Sequence, residues 1–227
     1  AIGKAALGAN TTGGNNTALG PYALESNTTA SHNVAVGVSC MANNTTGAEN
    51  TAMGNYALDA NTTGAYNVAM GVHALGANTT ASYNTAVGYQ ALAANTTGTR
   101  NVAVGESALT TQTTSNNNTA VGYQAGEATT TSSQVTAIGC YALTANTTGS
   151  NNDALGYAAL YSNTIGQYNV GIGAGALENN TTASNNTAVG YQSLTANTTG
   201  TRNTAVGRGA MDAITTASDG TALGYLA

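Results

Sequence analysis

The sequence predicts an all-β fold, a parallel β-solenoid of about 13 coils, from three observations. A 17-residue repeat runs through the chain without an insertion or deletion, each repeat carries an invariant glycine, and apolar residues recur at fixed places. Counting by 17 from Asn16 meets asparagine at every repeat except Val135 and Gly220. A fixed period of this size is typical of stacked, nearly identical coils. We expect residues 1–227 to form one solenoid segment cut from a longer chain.

The first element of each coil is a short strand with the pattern Asn-Thr/Val-Ala-Val-Gly. With Asn16 as position 1, column n denotes the residues at position n of successive coils. β-Branched or apolar residues alternate with small ones here, as in a strand. Column 4 is always apolar and column 9 is Leu or Met except in one coil. We expect both columns to point into the coil interior or into a chain interface, with Val87, Val121, Leu92 and Leu109 almost fully buried, and we expect Val104 to be a structural residue of column 4.

The strand ends at column 5, which is glycine in all fourteen copies, including Gly88, Gly105 and Gly122. A column that admits no side chain predicts a corner with positive φ or a close backbone approach.

The second element, Ala-Leu-x-Ala-Asn-Thr-Thr-Gly, is predicted to form another short strand between two tight corners. Column 13 is threonine in all thirteen copies. Hydroxyl groups stacked in this way predict a threonine ladder between coils.

The variable columns predict the solvent-facing corners. Twelve of the thirteen charged residues lie in columns 6, 10 and 17, and Asp153 in column 2 is the exception. Five tyrosines recur every 34 residues, at Tyr89, Tyr123, Tyr157, Tyr191 and Tyr225. Either these rings simply stack over neighbouring coils, or they form a ligand face for sugars or protein partners.

Composition and spacing argue against several function classes. The net charge is −5 with four scattered basic residues, which is unfavourable for nucleic acid binding. No apolar run approaches the roughly 20 residues that span a bilayer. His32 and His73 lie in variable columns, and Cys40 and Cys140 are nearly six coils apart, too far for a disulfide. We therefore expect no enzyme activity, no cofactor and no metal site.

The segments NTAVGYQAL (84–92) and NVAVGESAL (101–109) resemble the haemagglutinin-type head repeats of trimeric autotransporter adhesins. The unit containing ANTTG is similar to repeats of phage and bacterial tail-fibre proteins. The resemblance covers the whole chain and implies a left-handed parallel β-roll that forms a homotrimer or filament. It further implies a non-enzymatic adhesin or fibre shaft, outside the cell on a cell surface or virion. The implied partner is a host-surface protein or carbohydrate receptor.

Trimerisation also follows from the thin core, since each coil has only two large apolar columns. The small residues of columns 3 and 8 are expected to allow close approach of the partner chains. If column 2 faced a trimer axis, three Asp153 carboxylates would converge and share an ion or water. If column 2 lines an open wall, Asp153 is an ordinary surface residue.

An ice-binding β-solenoid is the alternative function, because asparagine and threonine stack at coil spacing with almost no charge. The ice face would be formed by columns 12 and 14, represented by Asn61, Thr63, Asn78, Thr80, Asn95 and Thr97.

Overall fold

The computed structural model describes residues 1–227 and confirms the parallel β-solenoid with a 17-residue period. It contains thirteen strands of three residues, one per coil, and no helix. The chain divides into two compact units, residues 1–116 with β1–β6 and residues 117–227 with β7–β13. The strands are β1 (Thr17–Leu19), β2 (Val34–Val36), β3 (Thr51–Met53), β4 (Val68–Met70), β5 (Thr85–Val87), β6 (Val102–Val104), β7 (Thr119–Val121), β8 (Thr136–Ile138), β9 (Asp153–Leu155), β10 (Val170–Ile172), β11 (Thr187–Val189), β12 (Thr204–Val206) and β13 (Thr221–Leu223).

Within each unit, every strand pairs in parallel with the strand of the next coil, in a register of 17 residues. Thr85 lies opposite Val102, for example, and Ala86 lies opposite Ala103. Like residues therefore stack on like residues, which is why the sequence tolerates no insertion. A shift by one residue would place every side chain on the wrong face.

The predicted second strand is wrong, because the rest of each coil consists of turns. Columns 7, 9 and 17 adopt the left-handed backbone conformation, with φ of 55° at Gln90, 51° at Leu92 and 58° at Arg100. Three such residues per coil bend the chain too often for an extended segment. The coils nevertheless remain hydrogen-bonded here, since the Leu92 amide donates to the Ala108 carbonyl at 3.0 Å.

The apolar core of each coil is made by columns 3, 8 and 9. Leu92 and Leu109 are fully buried, as predicted. The alanines of columns 3 and 8 are also buried, for example Ala86 and Ala91. The prediction that columns 3 and 8 allow partner chains to approach is therefore wrong, because these side chains fill the inside of the coil.

The prediction for column 4 is wrong as regards the coil interior. Val87 and Val104 are only half-buried, and Val121 is 36 % exposed. Successive side chains of a strand point to opposite faces. With the alanine of column 3 inside, the residues of columns 2 and 4 must point outward. Column 4 is thus an apolar column on the outside of the single chain.

Buried asparagines complete the interior and were not predicted. In column 12, the Asn61 amide donates to Asn44 Oδ1 at 2.7 Å and to the Gly64 carbonyl at 2.9 Å. In column 1, the Asn50 amide also donates to the Gly64 carbonyl, at 2.9 Å. The two asparagine columns therefore hold the turn around column 15 from both sides. The predicted threonine ladder of column 13 is confirmed, since Thr62 Oγ1 donates to the Thr79 carbonyl at 3.0 Å.

The glycine column behaves as the sequence predicted. The φ angles of Gly88, Gly105 and Gly122 are 136°, 136° and 139°. A Cβ on Gly88 would lie 2.6 Å from the carbonyl carbon of Gly105 in the next coil. Both proposed causes, positive φ and close backbone approach, act together at this column.

Candidate functional sites

The outward side of the strands forms the first candidate site, here named the strand face and defined as columns 2 and 4. Column 2 presents Thr and Val, and column 4 presents Val, Ile, Leu and Met. Away from the chain ends, the more exposed members of column 4 are between 36 % and 47 % exposed. These residues are Leu19, Met53 and Met70 in the first unit and Val121, Ile138, Leu155 and Ile172 in the second. Side chains of this size in an unbroken column form a long apolar stripe on each unit.

The strand face carries one charge. Asp153 is exposed and lies in register between Thr136 and Val170 of the adjacent strands. No salt bridge is found at its carboxylate, whereas Arg202 and Asp219 form an ion pair elsewhere in the second unit. In the single chain, Asp153 is a surface residue.

The five tyrosines of column 6 are exposed, but they do not touch one another, because each lies two coils from the next. Residues of the intervening coil bridge some of them. The Arg208 guanidinium lies 5.5 Å from the Tyr191 ring and 5.4 Å from the Tyr225 ring, and it donates to the Tyr225 hydroxyl at 2.9 Å. Tyr89, in contrast, has no ring contact within the chain. The tyrosines of column 6 therefore do not form one continuous row of contacting rings, and only some of them take part in local clusters.

The most developed of these clusters surrounds Tyr141 in the second unit. The Tyr141 ring meets those of Tyr157 and Tyr161 edge-to-face, with centroids 6.0 and 6.2 Å apart. Together with Ala158 and Glu178, these rings line a cavity of about 150 Å³. Loss of solvent around the Tyr141 hydroxyl, together with its ionisable neighbours, raises its pKa.

The 34-residue spacing of tyrosines in column 6 indicated Tyr157. It did not indicate Tyr141 and Tyr161, since they lie in columns 7 and 10. The signal was present in the composition of two successive coils. Three tyrosines fall within 21 residues, and alanine occupies column 7 in the coil between Tyr141 and Gly175.

A second cavity, of about 360 Å³, lies in the first unit beside Asp59, His73 and Gln90. Small residues at Gly76 and Ala93 leave this notch open. Burial raises the pKa of Asp59, while backbone hydrogen bonds and the nearby His73 act in the opposite direction. The imidazole of His73 is stacked on the Tyr56 ring at 5.2 Å, so His73 packs on a neighbouring coil.

The predicted ice face is not formed as a surface. Asn61, Asn78 and Asn95 are fully buried, because their amides hydrogen-bond inside the coil. Thr63, Thr80 and Thr97 are exposed, so only the threonine half of the predicted face meets solvent. The error came from placing columns 12 and 14 on one side of a strand, whereas this segment is a turn.

The remaining sulfur and histidine residues do not assemble into a site. Cys40 is buried and Cys140 half-buried, and both are free thiols. Burial raises the pKa of Cys40 to about 12. No three His, Cys, Asp or Glu side chains come together in an arrangement that could hold a metal ion. The structure also has no helix able to cross a bilayer.

No protein-family model, curated protein or solved structure matches this chain.

Proposed function

We propose that the chain is the structural and adhesive repeat shaft of a surface adhesin or tail fibre, assembled as a homotrimer through its strand face. The observation that carries the proposal is the apolar stripe of column 4. Exposed apolar side chains that adjoin one another in a contiguous patch mark interaction sites. Since like residues stack along the stripe, identical chains aligned side by side would meet with matching surfaces.

The assembly buries the side chains that a single coil leaves outside. Each valine, leucine or methionine gains roughly 1.5–3 kcal/mol when it is fully removed from water, and half-exposed side chains gain a fraction of that value. Repeated along each unit, this gain favours association. It also accounts for the restriction of column 4 to apolar residues, which an open wall would not require.

The role as a shaft follows from the rest of the molecule. Within each unit, the coils are held by backbone hydrogen bonds, by a buried asparagine ladder and by a threonine ladder, so each unit is rigid along the stacking direction. Adhesins and fibres that work outside cells need this rigidity, and the repeat resembles those of adhesin heads and tail fibres. The implied location is a cell surface or virion, and the implied partner is a receptor protein or carbohydrate.

The proposal is tested by the mass of the protein in solution. Light scattering should give three times the chain mass of 22.3 kDa. A Met53→Lys, Met70→Lys variant, with charges on the strand face, should fall to the monomer mass. The matched control, Thr63→Lys with Thr80→Lys, adds the same charges to exposed threonines of the same coils and should remain trimeric. A wild-type monomer, or a control as disruptive as the variant, would contradict the proposal.

Ice binding remains a second candidate on one observation, the exposed threonine column 14. Because the asparagines of column 12 are buried, column 14 alone faces solvent and offers ice a single row of hydroxyl and methyl groups. We therefore expect no thermal hysteresis at high protein concentration. Hysteresis that Thr63→Lys with Thr80→Lys removes would favour ice binding over the shaft.

A further inference from the structure

We infer that Tyr141, Tyr157, Tyr161 and Glu178 form a binding site for a quaternary ammonium head group. This set of residues, with Ala158 at its base, is here named the tyrosine box. The inference goes beyond the proposed function, because the box is complete within one chain and is formed by columns 6, 7 and 10, none of which belongs to the strand face.

The walls of the box come from two adjacent coils. Tyr157 and Tyr161 belong to one coil, and their ring planes make angles of 84° and 83° with the Tyr141 ring of the preceding coil. Tyr123 supports Tyr141 in turn, with its centroid 5.3 Å away at an angle of 86°. These contacts fix the orientation of Tyr141. Perpendicular aromatic walls can present more than one π surface to a single guest.

The space between the walls exists because the side chain at its base is small. Column 7 carries Tyr141 in one coil, Ala158 in the next and Gly175 in the third. A longer residue in place of Ala158 would fill the cavity. The volume of this partly open pocket, about 150 Å³, is smaller than the roughly 300–1,000 Å³ typical of drug-sized ligands. It therefore suits a compact head group.

The charge of the guest follows from Glu178. Its carboxylate also lines the cavity, and no basic side chain lies within salt-bridge distance of it. The carboxylate folds back over Gly175 of its own coil, since a Cβ on Gly175 would lie 3.1 Å from Glu178 Oε2. A cation beside Glu178 would have its charge compensated, in a protein whose net charge is −5.

The aromatic walls decide which kind of cation is preferred. Tyrosine faces attract cations through their quadrupole, and quaternary ammonium groups are the typical guests of aromatic cages. A primary ammonium is strongly hydrated and needs hydrogen-bond acceptors, whereas methyl groups contact the π faces directly. Choline, free or carried by a phospholipid, provides this chemistry.

The experiment measures choline binding by NMR. Because tyrosine rings shield protons above their faces, the methyl resonance of bound choline should move upfield in a saturable manner. The neutral isostere 3,3-dimethylbutan-1-ol should not bind, since it has the same shape but no charge. Phosphatidylcholine vesicles, tested by co-sedimentation, distinguish a lipid source from free choline, and binding to either supports the site.

Variants assign the binding to the box. Tyr157→Ala should weaken choline binding by about tenfold, within the energy range of a cation–π contact, while Tyr157→Phe should retain most of it. Glu178→Gln should weaken binding several-fold, and Ala158→Leu should abolish it by filling the cavity. Tyr168→Ala, a change at another exposed tyrosine of the same unit, is the matched control and should bind as the wild type does.

Three outcomes would overturn the inference: no saturable shift with millimolar choline, equal binding of the neutral isostere, or unchanged binding by both Tyr157→Ala and Glu178→Gln. Circular dichroism of each variant separates loss of the site from loss of the fold. None of these outcomes changes the mass expected from light scattering, so failure of the box and failure of the trimeric shaft are distinguishable.

Discussion

The side-chain amide of Asn61 donates to Asn44 Oδ1 of the preceding coil at 2.7 Å, and both side chains are fully buried. Asn61 Oδ1 in turn accepts from the Asn78 amide at 2.9 Å. An asparagine of column 12 is therefore satisfied where the coils before and after it also carry asparagine in this column. The asparagine ladder is interrupted where Gln112 and Ile214 occupy column 12, and the Oδ1 atoms of Asn95 and Asn197 before them have no hydrogen-bond partner.

Asn61→Ala should accordingly destabilise the solenoid by about 1–3 kcal/mol, the cost of leaving buried hydrogen-bonding groups unsatisfied. Urea unfolding of the purified protein measures the change. Thr63→Ala, at an exposed site of the same coil, is the control and should stay within about 0.5 kcal/mol of the wild type. Equal effects of the two substitutions would mean that the ladder adds nothing to stability.

Gly88→Ala should cost more than about 1 kcal/mol, the centre of the range for point mutations. The added Cβ would meet the backbone of Gly105, and alanine disfavours a φ of 136°. Gly14→Ala is the matched control, because a Cβ there meets no atom within 4 Å. If thermal unfolding of the two variants is the same, the glycine column has a cause other than side-chain exclusion.

The two thiols should differ in reactivity. With its pKa raised to about 12 by burial, Cys40 stays protonated and unreactive at pH 8, whereas Cys140 is partly accessible. A thiol-specific reagent should therefore titrate one group in the native protein and two after unfolding, and Cys140→Ser should reduce the native count to zero. Two reactive groups in the native wild type would show that Cys40 is accessible.

The same pKa shift predicts a loss of stability in alkali. The unfolded thiol ionises near its ordinary value of 9.0, while the folded one does so near 12. The unfolded state therefore gains relative stability as the pH rises from 9 toward 12. Cys40→Ala should remove this part of the pH dependence in unfolding experiments.

Asp153→Thr should stabilise the assembled protein. If the strand face is covered by partner chains, the carboxylate of Asp153 loses water without gaining a cation, which is costly. Replacing it with threonine, the commonest residue of column 2, should raise the dissociation midpoint by at least about 2–4 °C, as expected for 1 kcal/mol in a chain of this size. Glu106→Thr, away from the strand face, should have little effect. An unchanged midpoint for Asp153→Thr would place Asp153 on an open wall.

Periodicity alone predicted the solenoid, its register and the glycine corners, because an exact repeat constrains stacking directly. It could not decide which side of the strand faces inward, since columns 3 and 4 are both free of polar residues. Leu92 and Ala91 are both buried although they are adjacent, because the left-handed conformation at Leu92 breaks the alternation of a strand. That conformation is uncommon for leucine, so nothing in the residue type predicted it.

The tyrosine box could not be predicted from the repeat pattern, for a related reason. Tyr141 and Tyr161 lie in different columns, and only the turn geometry brings columns 6, 7 and 10 of adjacent coils together. The buried asparagines were visible as nearly constant columns. Because asparagine is polar, the sequence favoured a surface position for these columns. They lie inside because their amides donate to carbonyl groups of the turns, such as that of Gly64.

The accessibility of column 4 in the assembled protein tests the central claim most directly. In a background in which Cys40 and Cys140 are replaced by alanine, Ile138→Cys and Thr148→Cys place single thiols on the strand face and on the exposed threonine column of one coil. Maleimide labelling under native conditions should modify Thr148→Cys rapidly and leave Ile138→Cys protected until the assembly is dissociated. Labelling of Ile138→Cys at the rate of Thr148→Cys would show that the strand face is open to solvent, and it would contradict the trimeric shaft.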